Sequence, residues 1–184
     1  MEEQNPWTIV DSRKIYENNW IGLTEHNVIN PSGGKGIYGV VSFRNYAVGV
    51  LPLDDELNTW LVGQYRFPLN AYSWEIPEGG GPLDLHPLEG AKRELQEETG
   101  LNATEWTELL RMHLSNSVSD ELAIIYIARG LSMGQATPEE TEELVLRKLP
   151  FKEAYEMVMD GKITDSMSVA AILKTQVLLQ QGKL

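Results

Sequence analysis

Three glutamates at positions 94, 97 and 98, preceded by a run of glycines at 79–81, constrain this chain more than any other feature. The stretch Gly79–Leu101 reads GGGPLDLHPLEGAKRELQEETGL. Its second half predicts a helix. Pro87 suits a first turn, where its missing N–H is not needed, and Gly100 suits the left-handed position that ends a helix. Taking Glu94 as zero and advancing about 100° per residue, Glu98 falls at about 40° and Glu97 at about −60°. The three carboxylates therefore share one face. Leu88, Ala91 and Leu95 fall between about 60° and 120°, a separate apolar stripe for a core. Gly90, near about −40°, leaves room beneath the acidic face. Like charges at this spacing destabilise a helix, and a hard divalent cation offsets them. Mg²⁺ favours carboxylate oxygens and usually arrives with substrate phosphates. The glycines before the helix let the backbone loop tightly and approach a ligand or metal.

The same stretch resembles the box of the Nudix hydrolases, in which a glycine, a glutamate and the run R-E-U-x-E-E-x-G-U recur at fixed spacing, U being a large aliphatic residue. Gly79, Arg93, Glu94, Leu95, Glu97, Glu98, Gly100 and Leu101 match in register. Six fixed matches, each with a background of roughly 5–10%, arise by chance about once in 10⁷ starts. An acidic surface helix does not explain the glycines, the arginine and the spacing together. One position departs. The box glutamate expected at 85, which in the family helps hold the arginine and can reach the metals, is Leu85.

Composition narrows the partners. The formal net charge is −12, which repels nucleic-acid backbones and anionic membranes but not nucleotides brought in with Mg²⁺. There is no cysteine, so neither a disulfide framework nor thiol chemistry is expected. The first residues, MEEQNPWTIV, lack a basic segment followed by an apolar core. No apolar run approaches the roughly 20 residues of a membrane span. A cytoplasmic protein is expected.

Along the chain, residues 7–16, 20–29 and 36–43 read as strands separated by turn-forming residues. They predict a small antiparallel β extension over residues 1–42, used for dimerisation and substrate contact. Trp7, Tyr16 and Trp20 are read as packing residues, or one of them stacks on a base. Tyr46–Leu53 and Asn58–Arg66 read as a hairpin across Asp54–Leu57, with Val48, Val50, Leu51, Trp60, Leu61 and Val62 in the core. Residues 104–114 and 122–129 read as strands, 130–134 as a turn, and Leu144–Leu149 as a strand. A short helix over Phe151–Met159 follows. Asp165 is expected to cap a last helix reaching about residue 180, with Val169, Ile172, Leu173 and Val177 as its apolar face. The three histidines form no ligand pair at helical spacing, so zinc is not expected. Neither a nucleophile elbow nor a Walker-type phosphate loop is present.

The resemblance implies an α+β fold over residues 43–184, the Nudix-like α/β/α sandwich with a mixed sheet. It implies Mg²⁺-dependent hydrolysis, with Mn²⁺ as a substitute, of a nucleoside diphosphate linked to another group. Glu94 and Glu98 are the main metal ligands in this reading. Glu97 shares a metal or binds its waters, the Glu78 backbone carbonyl completes the shell, and Arg93 orients the carboxylates. The segment QYRFPLNAYSWEIPEGG resembles the approach to the box in the ADP-ribose and ADP-sugar pyrophosphatase branch, which points to Arg66 and Glu75 at the substrate. Ser119-Asp120-Glu121 matches part of a further signature of that branch, and Glu121 is a candidate contact for a terminal sugar, across a homodimer interface. The proline that commonly marks the branch is Asn116 here. The acidic run Glu139–Glu143 matches the loop that supplies a catalytic glutamate, with Glu140 first choice and Glu142 second. ADP-ribose or an ADP-sugar is the leading substrate class, ahead of GDP-mannose-type sugars. Cleansing of damaged nucleoside triphosphates fits the flanking segments less well. A non-catalytic nucleotide-sugar sensor has no need of all three helix carboxylates.

Overall fold

The computed structural model describes residues 4–136 and 143–184. Its strands are β1 (Thr8–Glu17), β2 (Ile21–Ile29), β3 (Lys35–Phe43), β4 (Asn45–Pro52), β5 (Asn58–Arg66), β6 (Ala71–Glu75), β7 (Glu78–Pro82), β8 (Leu101–His113), β9 (Leu122–Met133) and β10 (Val145–Pro150). Its helices are α1 (Pro87–Thr99), α2 (Phe151–Met159) and α3 (Ser166–Gln180). The chain divides into two compact units. One comprises residues up to Asn45 with His113–Glu121, the other Tyr46–Met112 with Leu122–Leu184.

The first unit is the expected small antiparallel sheet, in the order β1-β2-β3. Two register shifts leave Val10 and Ile15 without partners in the β1–β2 ladder. The segment 113–121 docks beside β3. Val41 N–H donates to the Val118 carbonyl at 2.8 Å, and the Asp120 carboxylate accepts the Phe43 N–H at 2.9 Å. Asp120, in the matched Ser-Asp-Glu run, is thereby committed to holding the backbone. Trp7 meets Tyr38 edge to face, but Tyr16 and Trp20 are more than half exposed. Those two do not pack as expected: β1, which carries Tyr16, is exposed along its whole length, and Trp20 stands in the bend that follows it.

The second unit holds two sheets, β10-β5-β6 and β7-β4-β9-β8. The expected hairpin of β4 and β5 does not form. Each of these strands is buried over most of its length and lies inside a different sheet, so the intervening residues make a corner. Asp54 builds that corner by accepting the N–H groups of Glu56 and Asn58, and Leu57 adopts a left-handed conformation there. β4 runs parallel to β9, pairing Val50 with Tyr126. Consecutive residues of β4 meet helices on opposite faces. Val48 lies 3.4 Å from where a Cβ on Gly90 of α1 would stand, whereas a Cβ on Gly49 would stand 2.9 Å from Met167 of α3. The sheet is thus sandwiched between α1 and α3, the α/β/α arrangement expected. Val48, Val50, Trp60, Ala91, Leu95, Leu101, Ile124 and Tyr126 form one buried cluster.

Two more local readings change. Residues 130–134 do not turn the chain. β9 continues to Met133, with Gly130 taking up a positive φ of 62° opposite Thr104, so the glycine kinks the strand without ending it. On α3 the buried positions are Met167, Ser168, Ala171, Ile172 and Thr175. Leu173 and Val177 are exposed. A helix with apolar residues on every side gives periodicity little to act on, and the small residues Ser168 and Ala171 allow the close approach.

Candidate active site

Helix α1 begins and ends as its sequence dictates. Pro87 occupies the first turn, the His86 ring accepts the Leu88 N–H, and Gly100 closes the helix with φ 73°. Leu95 and Ala91 are fully buried. The glycines of the lead-in form the strand β7, not the loop they suggest. They do so because helix and strand lie almost in contact, a Cβ on Gly90 falling 2.9 Å from Gly81 Cα. The room beneath the acidic face is therefore filled by the backbone of β7.

This approach buries the carboxylates of Glu94 and Glu98, residues that are only 8% and 4% exposed. A Cβ on Gly79 would stand 2.5 Å from both Glu94 oxygens, so only glycine leaves that carboxylate its place. Glu98 Oε2 accepts the Glu78 N–H at 2.9 Å. Glu97 is more open. Arg93 joins the parts, donating to Glu97 at 2.8 Å, to Glu94 at 2.6 Å and to the Gly80 carbonyl at 2.6 Å. Leu85 is half exposed in the turn before α1. Where the family's glutamate would help hold the arginine, this chain holds Arg93 through its neighbouring helix carboxylates and the Gly80 carbonyl.

A second group adjoins the first through Glu78. Arg66, at the end of β5, grips the buried Glu75 with Nε at 2.9 and 3.0 Å and Nη2 at 2.5 Å, and reaches Glu78 at 3.3 Å. With Ser73, Thr164 and Asp165 these residues line a cavity of about 260 Å³. Burial opposes the charge of Arg66, but Glu75, Glu78 and Asp165 outweigh it and hold the guanidinium protonated. Burial, then the charges of Asp165 and Glu75, push the Glu78 carboxyl well above the usual range, against the pull of Arg66. Sequence reading gave Glu78 only a backbone role and Asp165 only a capping one. Asp165 does cap α3, accepting the Ser168 N–H at 2.7 Å. Its convergence with Glu78 comes from residues far apart in sequence, which no local pattern signals.

The structure thus gathers Glu78, Arg93, Glu94, Glu97, Glu98, Arg66 and Glu75 in the second unit. Glu121 belongs to the first unit and is half-buried, its carboxyl raised by burial and by the charge of Asp120. Glu140 and Glu142 lie outside the described residues. Ala136, the last described residue before them, abuts the end of α1. Its N would stand 2.8 Å from a Cβ on Gly100, and the Gly134 N–H donates to the Gly100 carbonyl. Among the described residues no three acidic or imidazole groups converge as a ready-made cation site. The donors are nonetheless all oxygen, two carboxylates are sunk into a glycine-made cradle, and the Gly80 carbonyl shares the Arg93 guanidinium with Glu94. That chemistry suits Mg²⁺, which keeps several waters and binds through a few carboxylates together with substrate phosphates.

Comparison with known proteins agrees. Residues 43–181 match the NUDIX domain, and residues 7–41 match the nucleoside diphosphate sugar hydrolase N-terminal domain. An ADP-ribose pyrophosphatase of Mycobacterium tuberculosis is 30% identical over 92% of this chain and 83% of its own length. A methanol dehydrogenase activator of Bacillus methanolicus is 30% identical over 89% of each chain. The fold matches a solved ADP compounds hydrolase with a TM-score of 0.86 across the whole of both chains, at 20% identity. A box helix with its carboxylates buried against a glycine strand, carried on this sandwich and matched over most of its length, makes the chain a member of the Nudix hydrolase family.

Proposed function

We propose that this protein hydrolyses the diphosphate of ADP-ribose or a related ADP-sugar, giving AMP and a sugar phosphate, with Mg²⁺ as cofactor. The observation that carries the reading is the tie between box helix and lead-in. Glu98 accepts the Glu78 N–H while Gly79 gives way to Glu94, so two carboxylates are held against the lead-in backbone in one corner. The match to an ADP-ribose pyrophosphatase over nearly the whole chain supports the substrate class.

Mg²⁺, when bound, neutralises the diphosphate and lowers the pKa of a bound water. Glu94, Glu98 and the Glu78 carbonyl would supply its protein ligands, and Glu97 would share a metal or hold its waters. Arg93 fixes Glu94 and Glu97 through the ion pairs described. Arg66 and Glu75 border the substrate, with Glu75 setting the plane of the guanidinium. Glu121 is a candidate contact for the terminal sugar across the homodimer interface. The proton of the attacking water goes to Glu140, with Glu142 as second choice, because carboxylates committed to metal are poor proton acceptors and a further one is needed within hydrogen-bond reach. The rooting of residues 134–136 beside Gly100 supports a base arriving from that loop. The protein acts as a cytoplasmic homodimer.

The test is a panel of nucleotide sugars and nucleoside triphosphates incubated with the protein and Mg²⁺, with products identified by mass. AMP and ribose 5-phosphate from ADP-ribose are expected, and no turnover with chelator. Faster turnover of triphosphates than of any nucleotide sugar would overturn the substrate class. Full turnover in chelator would overturn the metal.

A further inference from the structure

The backbone leading into the box carries two groups the reaction depends on, the Glu78 carbonyl and the N–H that Glu78 donates to Glu98. Its backbone is held by hydrogen bonds to three neighbouring elements. Pro77 has no N–H, so between 76 and 78 only Ile76 and Glu78 can donate. The Glu78 N–H goes to Glu98. The Ile76 N–H goes to the hydroxyl of Ser168 on α3, at 2.9 Å and across 92 positions of sequence. The Pro77 carbonyl accepts the Val50 N–H of β4 at 2.9 Å. The segment is thus suspended between the box helix, β4 and α3, and Ser168 supplies a side-chain hydrogen bond from α3 to its backbone.

Ser168 is built for that task. It is fully buried and stands in the first turn of α3, where Asp165 takes its N–H. Met167 beside it and the Ile76 side chain converge on the bare face of Gly49, within 2.9 and 3.0 Å of where a Cβ would stand. Larger residues on α3 or β4 at these points would push the helix off, and the hydroxyl would no longer reach the peptide.

We propose that Ser168 is a positioning residue for the hydrolysis. Its hydroxyl sets the Ile76 peptide, and so the register in which Glu78 presents its carbonyl to the metal and its N–H to Glu98. The role rests on the Mg²⁺-dependent hydrolysis proposed above, and Ser168 itself touches neither substrate nor metal. Residues that orient metal ligands from behind typically contribute about 10- to 100-fold to metal affinity or activity.

The experiment compares wild type with Ser168→Ala and with Ser168→Cys, which is somewhat bulkier and replaces the oxygen with a weak acceptor. Mn²⁺ binding is titrated by electron paramagnetic resonance without substrate, and kcat and KM are measured with Mg²⁺. Folding is followed by circular dichroism and thermal melting. Ser166→Ala, on the exposed first residue of α3, is the control. Both Ser168 variants are expected to bind Mn²⁺ about tenfold more weakly and to lose kcat to a similar degree, with KM nearly unchanged. Variants that melt earlier yet bind Mn²⁺ and turn over like wild type would make Ser168 a fold residue only. Loss of folding in both variants would do the same. If Mn²⁺ binding weakens as expected but no nucleotide sugar is hydrolysed even by wild type, the positioning role stands and the substrate assignment fails.

Discussion

Gly79 is the residue whose replacement tests the site most directly. Any side chain there meets the Glu94 carboxylate. Gly79→Ala is therefore expected to displace that carboxylate, the far end of a flexible side chain, with little loss of stability, so that Mg²⁺ half-saturation rises and kcat falls. A melting curve and a Mg²⁺ titration check both. Glu98→Gln probes charge without shape, since the amide oxygen can still accept the Glu78 N–H. It should melt like wild type and lose kcat by about two orders of magnitude or more, as groups that stabilise charge in the transition state do; a near-normal kcat would remove Glu98 from the metal shell. Asp54 tests the corner between the sheets. Burial works against its charge, but hydrogen bonds from Lys148 and Asn58 prevail and bring its pKa from 3.8 to about 2. A carboxylate with a lowered folded-state pKa stabilises fully above its unfolded value and loses that contribution as pH falls through the folded one. The melting-temperature difference between wild type and Asp54→Asn should therefore be constant above about pH 4, equivalent to about 1 kcal/mol for a partly exposed pair, and close between about pH 4 and 2. A gap that persists at pH 2 would show that Lys148 contributes nothing through charge.

At the level of elements, α1 was legible because every signal for it is local: Pro87 at the start, Gly100 at the end, and the Ala91–Leu95 stripe between. The strands of the first unit were legible for the same reason. The pairing of β4 and β5 was not. Two apolar strands with a four-residue turn look alike whether they pair or part, and only burial on both faces of each separates the cases. The glycines at 79–81 read as a loop because their strand geometry depends on Gly90 and Val48, neither of which lies nearby in sequence. The cluster of Arg66, Glu75, Glu78 and Asp165 is likewise a product of tertiary packing. Glu140 and Glu142 lie outside the described residues and are legible only as part of an acidic run, so kinetics must assign the base. At saturating Mg²⁺, Glu140→Gln is expected to lower kcat by about 10²–10⁴-fold, the usual cost of losing a general base, with Glu142→Gln milder. If both keep a near-normal kcat, the base lies elsewhere, with Glu97 the next residue to replace.

For the molecule as a whole, the unresolved accounting is apolar surface. Ile9 and Val10 on β1 are each about 60% exposed, and Trp20 and Ile37 are more exposed still. A three-stranded sheet needs a hydrophobic face or a packing partner to be stable, and large apolar residues exposed together on one small sheet point to an interaction site. The net charge of −12 argues against an anionic partner. A second copy of the chain carries the same charge, but it also brings the same apolar strands, and symmetric association of one surface with itself is the commonest way soluble proteins cover such a face. The protein is therefore expected to run as a dimer by light scattering at micromolar concentration. Deletion of residues 1–40 should yield a monomer that melts cooperatively, because the core of α1, β4, β5 and β9 is complete without them, but hydrolyses nucleotide sugars poorly. A monomeric mass for the full chain would refute the dimer, and a deletion that kept both mass and activity would show that the sheet serves neither assembly nor substrate.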